Sequence, residues 1–82
     1  MYNVEFSETA QKQLYKLEKE VRIRVISTLE RIRIRPHPHV KRLVGSPYFR
    51  FRVGDYRLIL DIKSDKLIIF VIEVGHRRDI YK

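Results

Sequence analysis

The residues most able to do chemistry lie in the C-terminal third of the chain: Arg50, Arg52, Arg57, Arg77 and Arg78, with His76, Tyr81 and Lys82. Arginine presents a planar fork of donors that matches a phosphate group. Gathered on one sheet face, such residues would hold a nucleic-acid backbone and oppose charge developing on a single phosphate. Tyr48, Phe49, Tyr56 and Tyr81 are candidates for stacking on a base. The competing reading is a solvated sheet face whose arginines pair with Asp55, Asp61, Asp65, Glu73 and Asp79, with Phe49, Phe51 and Tyr56 in the core. Within this cluster His76 supplies the imidazole, the side-chain type that exchanges protons near neutrality, which makes it the acid/base candidate. There is no cysteine, no Gly-rich phosphate loop, no pair of carboxylates near a histidine and no helix-turn-helix pattern.

Three strands must position these residues. Phe49 to Val53 alternates apolar and cationic residues, so Phe49, Phe51 and Val53 share one face and Arg50 and Arg52 the other. Gly54-Asp55 is a tight-turn pair. Tyr56 to Ile62 sends Tyr56, Leu58, Leu60 and Ile62 to one side and Arg57, Ile59 and Asp61 to the other. After a turn at Ser64-Asp65, Leu67 to Val74 is a nearly continuous apolar run, as expected of a central strand.

Upstream, Tyr2 to Phe6 alternates and reads as a first strand with Tyr2, Val4 and Phe6 inward. Ser7 is an N-cap candidate, and Glu8 suits the first helical turn. Ala10, Leu14, Leu17, Val21, Val25, Leu29 and Ile32 form one apolar helical stripe. A single helix from Glu8 to Arg33 would span roughly 39 Å, whereas a domain of this size has a radius of gyration of about 12 Å. A break near Glu18-Lys19-Glu20 therefore gives two antiparallel helices. Arg22, Arg24, Arg31, Arg33 and Arg35 then form a solvated face or partner contacts. Pro36-His37-Pro38-His39 stops the second helix. Its two histidines read as a stiff exposed loop, because a zinc site wants three or four ligands. Lys41 and Arg42, in the link to the sheet, either touch phosphate or solvate the surface.

The expected fold is α+β, in the order β-α-α-β-β-β. It is a small antiparallel sheet with a two-helix hairpin on one face, forming one domain over residues 1–82. A formal charge of +8 on 82 residues predicts a polyanionic partner, either nucleic acid or an acidic protein. A membrane surface fits poorly, since the cations are not gathered on one amphipathic helix. The absence of a transmembrane run and of a signal-peptide pattern predicts a cytoplasmic protein.

Two motifs, Val53-Gly54-Asp55-Tyr56-Arg57-Leu58-Ile59 and Val74-Gly75-His76-Arg77-Arg78-Asp79-Ile80-Tyr81, resemble the RelE/ParE superfamily of type II toxin–antitoxin toxins. The resemblance runs over essentially the whole chain and implies the same helical hairpin. For the RelE branch it implies an mRNA interferase that enters the ribosomal A site and cuts the codon there. The RNA's own 2′-hydroxyl attacks, leaving a 2′,3′-cyclic phosphate. The family's catalytic positions fall on Arg50, Arg52, Arg57, Arg77 and Tyr81. Arg50 and Arg52 stand where some members carry lysines, and arginine is a poor proton shuttle; His76 is the acid/base candidate for that reason. Lys41, Arg42, Arg78 and Lys82 are the expected RNA-binding cations, and no metal or cofactor is expected. The expected partners are an acidic RelB-like antitoxin in a hetero-oligomer, the ribosome and mRNA. Two alternatives share the sequence features: a ParE-like non-nuclease toxin acting on DNA gyrase, and a basic nucleic-acid-binding module without catalysis.

Overall fold

The computed structural model describes residues 1–76. Its elements are β1 (Asn3–Phe6), α1 (Glu8–Tyr15), α2 (Lys19–Ile32), a 3-10 turn (His37–His39), β2 (Lys41–Arg42), β3 (Phe49–Val53), β4 (Tyr56–Lys63) and β5 (Ile68–His76). The strands form one sheet in the order β1-β5-β4-β3-β2. The α+β order and the two helices match expectation. The sheet differs in two respects. It is mixed, because β1 pairs with β5 in parallel, Asn3 opposite Ile68 and Phe6 opposite Val71. Alternation along a strand is the same in either sense, so the sequence pattern does not separate the two. The short β2 adds a fifth strand, antiparallel to β3.

The core lies between the helices and one sheet face. Ala10, Leu14, Val25, Leu29 and Ile32 meet Phe51, Val53, Leu58, Leu60, Ile69, Val71 and Val74 there, with Tyr2, Val4, Phe6, Leu17 and Val21 packed around them. Ser7 caps α1 by accepting the Ala10 N–H at 2.9 Å. The same hydroxyl donates to the Ile72 carbonyl at 2.7 Å. The Gln13 side-chain oxygen accepts the Val74 N–H at 2.6 Å. Beyond the reach of β1, side chains of the Ser7 cap and α1 thus satisfy polar groups along the outer edge of β5.

Gly54 takes φ +58°, so the Gly54-Asp55 hairpin has its positive φ at the first central residue, the position glycine favours in a II′ turn. Ile59 pairs with Glu73 and Leu60 with Val71, which leaves Ile72 as a bulge in β5. Alternation along β5 therefore inverts past Val71. Val74 rather than Glu73 meets the core, and Ile59 and Glu73 share the open face.

Arg33 departs from the solvated helix face. Its Nε donates to the Tyr2 carbonyl at 2.7 Å, and Nη1 pairs with Glu30 at 2.6 Å. With the Tyr2 N–H on the Arg33 carbonyl, it ties the start of β1 to the end of α2. No helix among the described residues is long and apolar enough to cross a membrane.

Candidate nucleic-acid interface and catalytic cleft

The face of the sheet away from the helices carries the cations. Arg52 stands opposite Arg57, and Arg50 opposite Ile59. On the other flank Lys41 stands opposite Arg50. Cross-strand partners share a face, so four cations from three neighbouring strands converge. They line a cleft of about 200 Å³ together with His39. The volume suits a phosphate group rather than a folded ligand. The two-residue turn between β3 and β4 fixes the Arg52–Arg57 register. Arg52 is further oriented by its own hairpin, its Nε donating to the Gly54 carbonyl at 3.0 Å. Arg50 and Arg57 are half-buried and each takes part in further polar, ring or electrostatic contacts.

Of the sequence-predicted residues, Arg50, Arg52, Arg57 and Lys41 are brought together, and Arg42 and His76 are not. Arg42 pairs with Phe49 and lays its guanidinium over that ring, 4.8 Å from the centroid. It lies on the strand position alternating with Lys41, which assigns one of the two to the cleft and the other to packing. His76 pairs with Tyr56, and the two rings meet edge to face at 5.4 Å. Gly75 is the β5 residue opposite Arg57; His76, one position on, faces the other side. The β5 bulge sets this parity. Arg77, Arg78, Tyr81 and Lys82 lie outside the described residues.

Among the aromatic candidates, Phe49 packs against the core and Tyr56 against His76. Tyr48 borders a separate, larger groove on the open face with Asp61, Lys63, Phe70 and Ile72. That groove mixes both charge signs with apolar side chains, so it suits a polyanion less well than the arginine cleft. Asp61, one of the anticipated acidic partners, pairs with Lys63 at 3.8 Å. Among the described residues, no group of three or more His, Asp or Glu side chains is placed to hold a metal ion.

The residue that sequence reasoning passed over is His39. It lines the cleft, whereas the His37 and Phe49 rings meet edge to face at 5.8 Å. The available signal was positional: His39 lies two residues before Lys41, so a β2 strand paired with β3 would carry it to the arginines.

A family profile described as the ParE toxin of the type II toxin–antitoxin system parDE matches residues 4–81. The mRNA interferase toxin RelE of Escherichia coli is 32% identical over 79 residues, covering 93% of this chain and 83% of that protein. Toxin RelG of Mycobacterium tuberculosis is 33% identical over 86 residues, covering 99% and 97%. The fold also superposes on a chain of the intact E. coli RelBE toxin–antitoxin complex with a TM-score of 0.80 and 28% identity, covering 93% of this chain and 96% of that one. Profile, relatives and fold agree over nearly the whole length: the chain belongs to the RelE/ParE superfamily of type II toxins.

Proposed function

We propose that this chain is a RelE-like mRNA interferase that cuts the A-site codon on the ribosome and is silenced by an acidic RelB-like antitoxin. The observation that carries this reading is the convergence of Arg50, Arg52, Arg57 and Lys41 on one phosphate-sized cleft. Similarity over nearly the full length to a protein named an mRNA interferase supports it. The cleft binds the backbone at the scissile phosphate. As the 2′-oxygen attacks, negative charge grows on the non-bridging oxygens, and the fixed guanidiniums oppose it without reorganising. The products are a 2′,3′-cyclic phosphate and a free 5′-hydroxyl. Arg77, two positions past the partner of Arg57, is assigned a second share of that charge. Tyr81 completes the site from the tail, and Arg78 and Lys82 bind flanking phosphates.

Primer extension on translated mRNA tests the reading: discrete cuts at A-site codons are expected. A message with one 2′-deoxy sugar at the cut position should resist. Normal cleavage of that message would refute attack by the 2′-hydroxyl.

One observation favours a second reading. The matching family profile is described as ParE, and a ParE-like toxin that inhibits gyrase needs no convergent arginines. Inhibition of gyrase supercoiling without mRNA cuts would establish it. Absence of both activities would leave a basic binding module.

A further inference from the structure

We infer, on the nuclease reading proposed above, that His39 is the base that accepts the proton of the attacking 2′-hydroxyl. The transesterification forms a bond from the 2′-oxygen to phosphorus and breaks the bond from phosphorus to the 5′-oxygen. The 2′-oxygen must lose its proton, and the departing 5′-oxygen must gain one. The described lining of the cleft is His39, Lys41, Arg50, Arg52 and Arg57. An ammonium and three guanidiniums donate hydrogen bonds but have no lone pair with which to take a proton. Among the described residues, four of the lining side chains can therefore bind and stabilise, and the fifth is the one that can deprotonate. A neutral imidazole has one acceptor nitrogen, and it is the side-chain type that exchanges protons near neutral pH.

The local structure holds His39 for this task. Pro36 is among the fully buried side chains and anchors the turn. The His39 N–H donates to the Pro36 carbonyl at 3.0 Å, and the Val40 N–H to the His37 carbonyl at 3.4 Å. Prolines at 36 and 38 restrict φ on either side of His37. Two residues after His39, Lys41 is pinned opposite Arg50. The ring is thus presented from a stiff turn rather than from a loose loop. The chain has three histidines, and the other two are engaged elsewhere, His37 on Phe49 and His76 on Tyr56. Among the described residues, the charged groups that share the cleft with His39 are Lys41 from β2, Arg50 and Arg52 from β3, and Arg57 from β4. In the balanced step the imidazole takes the 2′ proton and returns it to solvent after turnover. The 5′-oxygen takes its proton from water.

The test is single-turnover cleavage of ribosome-bound mRNA by the full-length chain and by His39→Gln, from about pH 5 to 8, across the titration range of imidazole. His39 is exposed and outside the core, so the variant should melt with the wild type. The wild-type rate should climb as pH rises and then level off, as expected of a base that must lose its proton before it can act. His39→Gln should lose that limb and fall about 100-fold or more at neutrality. A message whose leaving 5′-oxygen is replaced by bridging sulfur needs no proton on departure, so it should not rescue the variant. Rescue by sulfur would overturn the assignment by making His39 the acid. A variant that cuts at the wild-type rate with its pH limb intact would also overturn it, while leaving the nuclease reading standing. A wild type that cuts no message would bring down that reading and His39 with it.

Discussion

Arg57 gives the strongest test of whether the cleft is a catalytic device or simply a basic surface. It is half-buried on the open face, opposite Arg52 and Gly75, and it makes no part of the core. A cleft of about 200 Å³ seats little more than one phosphate, so a lining guanidinium sits roughly 4 Å from its oxygens. At that separation and an effective dielectric of about 20, a unit charge contributes about 4 kcal/mol. Much of this attraction already exists in the ground state, because the diester is an anion before attack. Only the part that grows with the developing charge lowers the barrier. Loss of one preorganised donor typically costs about 100- to 1,000-fold in rate. Arg57→Ala should therefore remain folded and lose that much single-turnover cleavage. Arg57→Lys should recover only part, because the planar fork is gone. Arg31→Ala is the charge-matched control, exposed on the last turn of α2, and should cut nearly normally. Arg22 suits that purpose less well, since its guanidinium caps the Tyr15 carbonyl at 3.4 Å. Equal losses in Arg57→Ala and Arg31→Ala would show that bulk charge, not a placed donor, explains activity. Full activity in Arg57→Ala would refute the placement of charge stabilisation in this cleft.

Three further outcomes are expected. Ser7→Ala removes both the α1 cap and the donor to the Ile72 carbonyl, and should cost about 2 kcal/mol in a denaturant titration; a loss within experimental error would mean that water replaces both bonds. Gly54→Ala places a Cβ 3.3 Å from the Arg24 guanidinium at φ +58°, and should destabilise by about 1–2 kcal/mol by thermal melting. Antitoxin binding, followed by calorimetry at increasing salt, should weaken if the cationic face carries the contact; an affinity independent of salt would assign the anchor to apolar grooves instead.

Most of the fold was legible because its signals are local. The Ser7 cap, the stripe from Ala10 to Ile32 and the Gly54-Asp55 turn each depend on residues within one element or one turn of it. The same holds for the cationic face of β3 and β4: alternation places Arg50, Arg52 and Arg57, and a two-residue turn sets their register. What stayed hidden depends on long-range pairing. The parallel union of β1 with β5 joins residues 65 positions apart. The Arg33 bonds to Tyr2 cross 31 positions. His39 enters the cleft only because a two-residue strand joins the sheet edge, too short to leave a periodic signal.

His76 illustrates a different limit, and its cause is energetic. Ile69 and Val71 face the core. With unbroken alternation, residue 73 would face the core as well, placing the Glu73 carboxylate against the apolar helix stripe. A carboxylate buried without a partner is heavily penalised, or must take up a proton. The same register would turn Val74, now 2% exposed, out to the open face. That would forfeit much of the roughly 1.5–3 kcal/mol gained by burying an aliphatic side chain of this class. A bulge at Ile72 avoids both costs by admitting one extra residue, and the Ser7 hydroxyl takes up the Ile72 carbonyl. The warning in the sequence is a single glutamate at a core-parity position, followed at once by a valine. The packing that brings Val74 into the core also places His76 beside Tyr56 rather than among the arginines. The demand of the core therefore decides which histidine the cleft can use, and it leaves that place to His39.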